Sequence, residues 1–304
     1  MAKAEIGNNT FDHCAVGCAC YTTGSVRRTT VRDFVNNGGT GVQREPDLCD
    51  PAAGLLGSTP LWACLGNHEY NGDATGSIYR QLFSVPFIPG QPKDYPQEHW
   101  YSFDYGNCHF TVLDTKYVAN EPDPEKRDDW FQEGSQQWNW LEADLEGSSG
   151  TWKFVLLHVP PYTHSNAHRY TAEDVTAVRD ELAEKLFNKS EYGVNAVFCG
   201  HNHFYEHSFK FYDGSSTQGV HYIVTGGGGA DEDHNPWWNW DPQNPANPHR
   251  HCADPSSPLN YFHYLTVDVP GGAGKPVVKQ WRHQDGHPPA LIETVTIGEP
   301  PPGW

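Results

Sequence analysis

The sequence predicts an α/β fold. Short apolar runs of strand type recur along the chain from residue 61 onward. Two segments of helical periodicity interrupt them, and each precedes a run that is apolar on both faces, as in a sheet covered by helices. At 304 residues the chain suits one large domain or two small ones, and it contains no internal repeat.

Each element follows from its local pattern. The stretch "HCAVGCACYTTGS" (13–25) has the outline of a first strand and loop, although the first sixty residues carry the weakest pattern of the chain. The runs "LWACL" (61–65), "HFTVL" (109–113), "KFVLL" (153–157), "NAVFC" (195–199), "HYIVT" (221–225), "YLTVDV" (264–269), "VVKQW" (277–281) and "IETVTI" (292–297) have strand length and β-branched or aromatic content. "TVDV" and "ETVT" alternate, as a sheet with one wet face requires. In "SQQWNWLEADLEG", Trp138, Leu141 and Leu145 share one helical face and Gly147 is the stop. In "TAEDVTAVRDELAEKLFNK", Thr171 is the expected N-cap, acids fill the first turn, and Val175, Val178, Leu182 and Leu186 form the stripe. Residues 226–263, rich in Gly, Pro, Asn and Trp, read as an ordered surface excursion near a site.

Composition excludes some functions. The formal net charge of −18, with 20 basic against 38 acidic residues, argues against nucleic acid and anionic membranes as partners. No apolar stretch approaches the roughly 20 residues of a membrane span. "MAKAEIGNNT" lacks the apolar region of a signal peptide, yet the Trp-, Gly- and Pro-rich balance suits a rigid, extracellular or periplasmic protein. Of the 8 cysteines, Cys64, Cys108 and Cys199 sit in apolar runs and read as buried thiols. Cys14, Cys18, Cys20, Cys49 and Cys252 lie in loop-like sequence and allow one or two disulfides.

The chemistry gathers where strands end. "WACLGNHEY" delivers Asn67 and His68, "FVLLHVPPY" delivers His158, and "AVFCGHNHFYEH" delivers His201 and His203. Side chains at the C-terminal ends of strands converge on the crevice where α/β proteins bind ligands. Imidazole and amide oxygen suit Zn, Fe or Mn better than Ca or Mg. Alternation puts His201 and His203 on the same side of an extended segment, about 7 Å apart, a spacing that lets each serve a different ion of a close pair. One isolated histidine of this kind is usually a hydrogen-bonded core residue; three such segments in one chain are not explained that way. For His164 and His207, an exposed loop position competes with a functional one.

"GNHE", "VLLH" and "GHNH", in this order, resemble the later three motifs of the calcineurin-like metallophosphoesterases. "WYSFDYGNCHFTVLDT" (100–115), "VLLHVPPY", "GHNHFYEH" and "YIVTGGGGA" (222–230) resemble purple acid phosphatases in particular, over roughly residues 58–298. The resemblance implies a single-domain, two-sheet α/β sandwich flanked by helices, with 1–57 a degenerate first part and 58–304 the core carrying the 231–263 excursion. It implies one or two transition metal ions and hydrolysis of a phosphate ester by metal-activated hydroxide. Asn67, His158 and His201 correspond to ligands of one metal and His203 to a ligand of the other. His68 corresponds to a group contacting phosphate or leaving group, and His168 to a general acid, a role for which His164 competes. Tyr205 and Glu206 follow the pattern after the last motif, with Glu206 placed to orient a ligand.

The family's first two motifs supply aspartates, and neither is found. Cys18 stands where the first Asp is expected, and Gly54 and Leu55 where the second is. Two divalent ions about 3.5–4 Å apart repel by roughly 17–19 kcal/mol at an effective dielectric of about 20, and a bridging carboxylate ordinarily offsets much of that. The expectation is therefore a single metal at Asn67, His158 and His201, a site completed by Cys18 or Asp50, or no tightly held metal. Cys18 as thiolate would favour Zn. The alternative is a protein of this fold that has lost turnover and serves in binding, scaffolding or assembly. Substrate and oligomeric state are not encoded in any motif.

Overall fold

The structure is a computed structural model. It describes residues 17–19, 61–70, 76, 79–80, 83–86, 99–115, 131–163, 165, 171–215, 217–227, 250–251, 262–271, 274–283 and 287–301. Strand β1 (Gly17–Ala19) pairs antiparallel with β2 (Leu61–Ala63) in a small ribbon, Cys18 opposite Trp62. A 3₁₀ turn, Asn67–Tyr70, follows.

Among the described residues, the large sheet has seven strands. β3 (Tyr101–Tyr105) and β4 (Cys108–Val112) form an antiparallel hairpin at one edge. β5 (Trp152–Leu157), β6 (Val194–Cys199) and β8 (Gly219–Thr225) continue parallel from β4. β7 (Tyr205–Phe211) returns antiparallel on β8, and β9 (Arg250–His251) pairs with β7 at the far edge. The order is β3-β4-β5-β6-β8-β7-β9. A second, three-stranded sheet is an antiparallel meander of β10 (Phe262–Asp268), β11 (Val277–His283) and β12 (Ala290–Thr296).

Alternation along the central strands divides the core in two. Phe154, Leu156, Ala196, Phe198 and Ile223 face one way and pack with Leu265, Val267, Val278 and Val295 of the small sheet. Val155, Leu157, Val197, Cys199 and Tyr222 face the other way and pack under the helices. Burying each such aliphatic or aromatic side chain contributes about 1.5–3 kcal/mol, and both faces of these strands gain it. The result is the expected two-sheet sandwich with helices outside. The apolar runs at 61–65, 109–113, 153–157, 195–199, 221–225, 264–269, 277–281 and 292–297 all contain strands, the first only three residues long.

Helix α1 (Gln136–Gly147) is capped by Ser135, whose hydroxyl accepts from the Trp138 amide, and buries Trp138, Leu141 and Leu145 as its spacing predicts. Helix α2 (Glu173–Val178) departs from expectation in two ways. Its N-cap is Ala172, without a side-chain hydrogen bond, so Thr171 lies one residue outside the cap. Beyond Val178 the coil widens into a π-helical stretch, Arg179–Phe187, closed by the Asn188 amide on the Ala183 carbonyl at 2.9 Å. Val175, Val178, Leu182 and Leu186 are still all fully buried. The wider turn also buries Ala183 and Phe187. Cys64, Cys108 and Cys199 are buried, as expected. Burial pushes the Cys199 thiol well up, with the Glu206 carboxylate adding to the effect, so it stays protonated. Among the described residues, no helix is long and apolar enough to cross a membrane.

Candidate metal centre at the strand ends

His158 is the residue immediately after β5, and His201 follows β6 by one glycine. The Gly200 amide donates to the His158 carbonyl at 3.0 Å, so the parallel pairing of β5 with β6 carries into the loops and sets the two imidazoles side by side. Their ring centroids are 4.9 Å apart at 65°. Asn67 arrives from β2 at the start of the 3₁₀ turn. Its Oδ1 lies 2.6 Å from His158 Nε2, and His201 Nδ1 lies 3.1 Å from the same nitrogen. Polar atoms of Asn67 and His201, from segments far apart in sequence, thus both reach His158 Nε2.

Gly66 makes that meeting possible. A Cβ there would stand 2.9 Å from His158 Cε1 and Nδ1 and 2.9 Å from Glu69 Oε2. Glu69 is itself buried and accepts from the Gly66 amide at 2.7 Å, which closes the turn that presents Asn67. Behind the turn, Asp114 at the end of the β4 segment accepts from the Tyr70 hydroxyl and pairs with His99 Nδ1 at 2.9 Å. Burial, then the Asp114 charge and hydrogen bond, push the Tyr70 phenol well above its ordinary range, so it remains a donor. Gln137 of α1 accepts from the Asp114 amide at 2.8 Å and donates to its carbonyl at 2.9 Å, tying the assembly to the helix layer.

The loop after β6 is not extended. His201 has φ of +66°, and the Asn202 amide bonds the Gly200 carbonyl while the Phe204 amide bonds that of Asn202, at 2.8 and 2.9 Å. These tight turns correct the expectation of a strand-like 201–203 segment with both histidines on one side. The backbone must leave β6 and reverse into β7 within five residues, 200–204, and extended geometry cannot do that. His203 stands half-buried in this loop. Glu206 is fully buried and accepts from the Thr163 hydroxyl at 2.9 Å; Thr163 Oγ1 in turn accepts from Asn202 Nδ2 at 2.7 Å. Glu206 therefore steadies the histidine loop through Thr163. Tyr205 is buried with its ring edge-on to His263, at 5.7 Å between centroids. His207 is no exposed loop residue. It lies fully buried in β7, with Nε2 3.0 Å from His221 Nδ1 and Nδ1 3.4 Å from Glu293 Oε1.

One residue at this site went unanticipated. His201 Nε2 lies 3.0 Å from Asp174 Oδ2, in the first turn of α2. The acids of that turn read in the sequence only as partners of the helix dipole. Other expected residues fall outside what can be placed. Asp50, His164 and His168 lie outside the described residues, His68 is placed by its backbone in the 3₁₀ turn, and Cys18 by its backbone in β1.

The donor types are ones that divalent ions take. Two ligands each about 2.0–2.1 Å from one metal, at tetrahedral to octahedral angles, stand about 2.9–3.4 Å apart. The 3.1 Å contact at His158 Nε2 falls within that range, while the 2.6 Å contact to Asn67 is a hydrogen bond shorter than such an edge. An amide oxygen and two imidazole nitrogens are ligands of the borderline kind suited to Zn, Fe or Mn. Among the described residues, no three His, Cys, Asp or Glu side chains gather to hold an ion.

Residues 33–205 match the family model of the calcineurin-like phosphoesterases. The chain belongs to the calcineurin-like phosphoesterase family. Members of this family bind divalent metals, and the match takes in the 33–57 segment, read above as degenerate. Among curated relatives, the chain is 31% identical over 182 residues to purple acid phosphatase 15 of Arabidopsis thaliana, covering 59% of this chain and 31% of that protein. It is 30% identical over 202 residues to probable inactive purple acid phosphatase 1 of the same plant, covering 58% of this chain and 30% of that protein. The chain thus spans about a third of the length of these relatives. A solved structure, purple acid phosphatase PPD1 from yellow lupin seeds, shares the fold with a TM-score of 0.51 at 20% identity, over 77% of this chain and 37% of that one.

Proposed function

We propose that this chain hydrolyses phosphate esters at a divalent-metal centre built on Asn67, His158 and His201. The convergence of Asn67 Oδ1, His158 Nε2 and His201 Nδ1 at the ends of β2, β5 and β6 is the observation that carries the reading. A bound cation supplies Lewis-acid charge to the phosphoryl group and acidifies water. The chain's own residues supply the rest. Asn67, His158 and His201 hold the cation, with Cys18 or Asp50 as a further ligand. His203 is the group on this loop that a second ion would use. His68, adjacent to Asn67, is assigned to the phosphate, and His168 or His164 to protonation of the departing oxygen, since imidazole near its ordinary pKa both holds and releases a proton.

A second reading, in which the fold binds without turnover, is favoured by one feature: neither of the family's aspartate motifs is found in the first sixty residues. Metal content of the purified protein, measured with hydrolysis of an aryl phosphate from about pH 4 to pH 9, separates the two. Stoichiometric Zn, Fe or Mn and turnover that falls at least about 100-fold in His201→Ala support the hydrolase. Less than about 0.2 metal per chain and no turnover at any pH favour the binding protein.

A further inference from the structure

We infer that Asp174 is the positioning residue that decides which nitrogen of His201 faces the metal. The inference rests on the metal-centre reading above only for its consequence; the hydrogen bonding on which it stands belongs to the protein itself. A carboxylate only accepts, so His201 Nε2, 3.0 Å from Asp174 Oδ2, must carry a proton. In a neutral ring that leaves Nδ1 with its lone pair bare. Nδ1 is the atom turned toward His158 Nε2, at 3.1 Å, and hence toward the point where the three side chains meet. On the other side the Asn67 Oδ1 acceptor, 2.6 Å away, requires a donor at His158 Nε2. The single His158 Nε2–H thus faces two acceptors, Asn67 Oδ1 and His201 Nδ1, and it must leave before a cation can take that nitrogen.

The carboxylate is held for this task. Its Oδ1 accepts from the Val175 amide at 2.9 Å, so Asp174 is pinned to the first turn of α2 and only Oδ2 is turned to the ring. The helix is anchored in turn by Val175 and Val178, both fully buried. His201 is 6% exposed and holds a backbone φ of +66°, which costs a non-glycine residue on the order of 1 kcal/mol. That conformation aims the imidazole between His158 and Asp174. A carboxylate on the far nitrogen of a metal-ligating histidine fixes its tautomer, and removing such a partner lowers metal affinity about 10- to 100-fold. In Asp174→Asn the amide oxygen can still accept from Nε2, so the tautomer survives while the negative charge is lost.

The test has two independent readouts. The first is the protonation pattern of the His201 ring in metal-free protein, read by long-range ¹⁵N–¹H correlation. The proton is expected on Nε2 in the wild type and in Asp174→Asn, and exchange with the Nδ1–H form is expected in Asp174→Ala. A wild-type ring protonated on Nδ1 alone, or one unaltered by Asp174→Ala, overturns the assignment. The second is Zn(II) affinity, by competition with a chromophoric chelator. Asp174→Ala should bind about 10- to 100-fold more weakly and Asp174→Asn should fall between it and the wild type. Equal affinities in all three overturn the assignment. If none binds Zn(II) but the ring pattern shifts as stated, the metal-centre reading fails and the role of Asp174 in setting the tautomer stands.

Discussion

Gly66 shows how tightly individual residues specify this site. The space its Cβ would need is filled by the His158 ring and the Glu69 carboxylate, each 2.9 Å away. Neither is free to swing aside: Glu69 accepts from the Gly66 amide itself, and His158 is held between Asn67 and His201. Gly66→Ala should therefore displace His158. The expected loss is about 1–3 kcal/mol in urea unfolding, the usual cost of overpacking, together with weaker Zn(II) binding in a chelator competition. Unchanged affinity would mean that His158 is not a ligand.

At the scale of elements, the π-helical stretch after α2 is the least regular part of the core and carries some of its most buried side chains. Leu182→Ala, at a fully buried position under the sheet, should cost about 2–5 kcal/mol in equilibrium unfolding. Leu182 was legible in the sequence because a stripe at every third or fourth residue survives the change of coil. The π turn was not, since one extra residue per turn hardly alters that spacing. His158 and His201 were legible because each ends an apolar run, where strand direction alone fixes the destination. Asp174 was not, because an acid in a first helical turn already has an explanation in the helix dipole. Strand β7 was missed for a related reason. "YEHSFKF" mixes polar and apolar residues, and its His207 is accommodated inside by His221 of β8, 3.0 Å away, and by Glu293.

For the molecule as a whole, buried histidines of opposite character set how stability depends on pH. Burial holds His263 down to about 3 from an ordinary 6.5. Burial and then the neighbouring His207 charge hold His221 well below 6.5, against a raising hydrogen bond from the Glu299 backbone. Both fold neutral, so their contribution is complete above pH 6.5 and is lost as pH falls toward the folded values. His109 is the reverse. Burial lowers its pKa, but hydrogen bonds to Asp144 and Asp104, at 2.9 and 2.8 Å, and their charges outweigh burial and raise it. Its contribution is complete below 6.5 and disappears as pH rises through the raised value. Urea unfolding across pH should therefore show these terms opposing one another on the two sides of pH 6.5, with His263→Gln flattening the acid limb and His109→Gln the alkaline one.

Gly226, at the end of β8, seats its Cα against the carbonyl of Asn202 so closely that a Cβ would come within 2.1 Å of that oxygen. Main chain rests on main chain, and no rotamer change can relieve the contact. The ledge bearing His201 and His203 is thus buttressed from the sheet side. Widening position 226 by one methyl would push the ledge bodily outward, separating the two imidazoles of His158 and His201 without touching either.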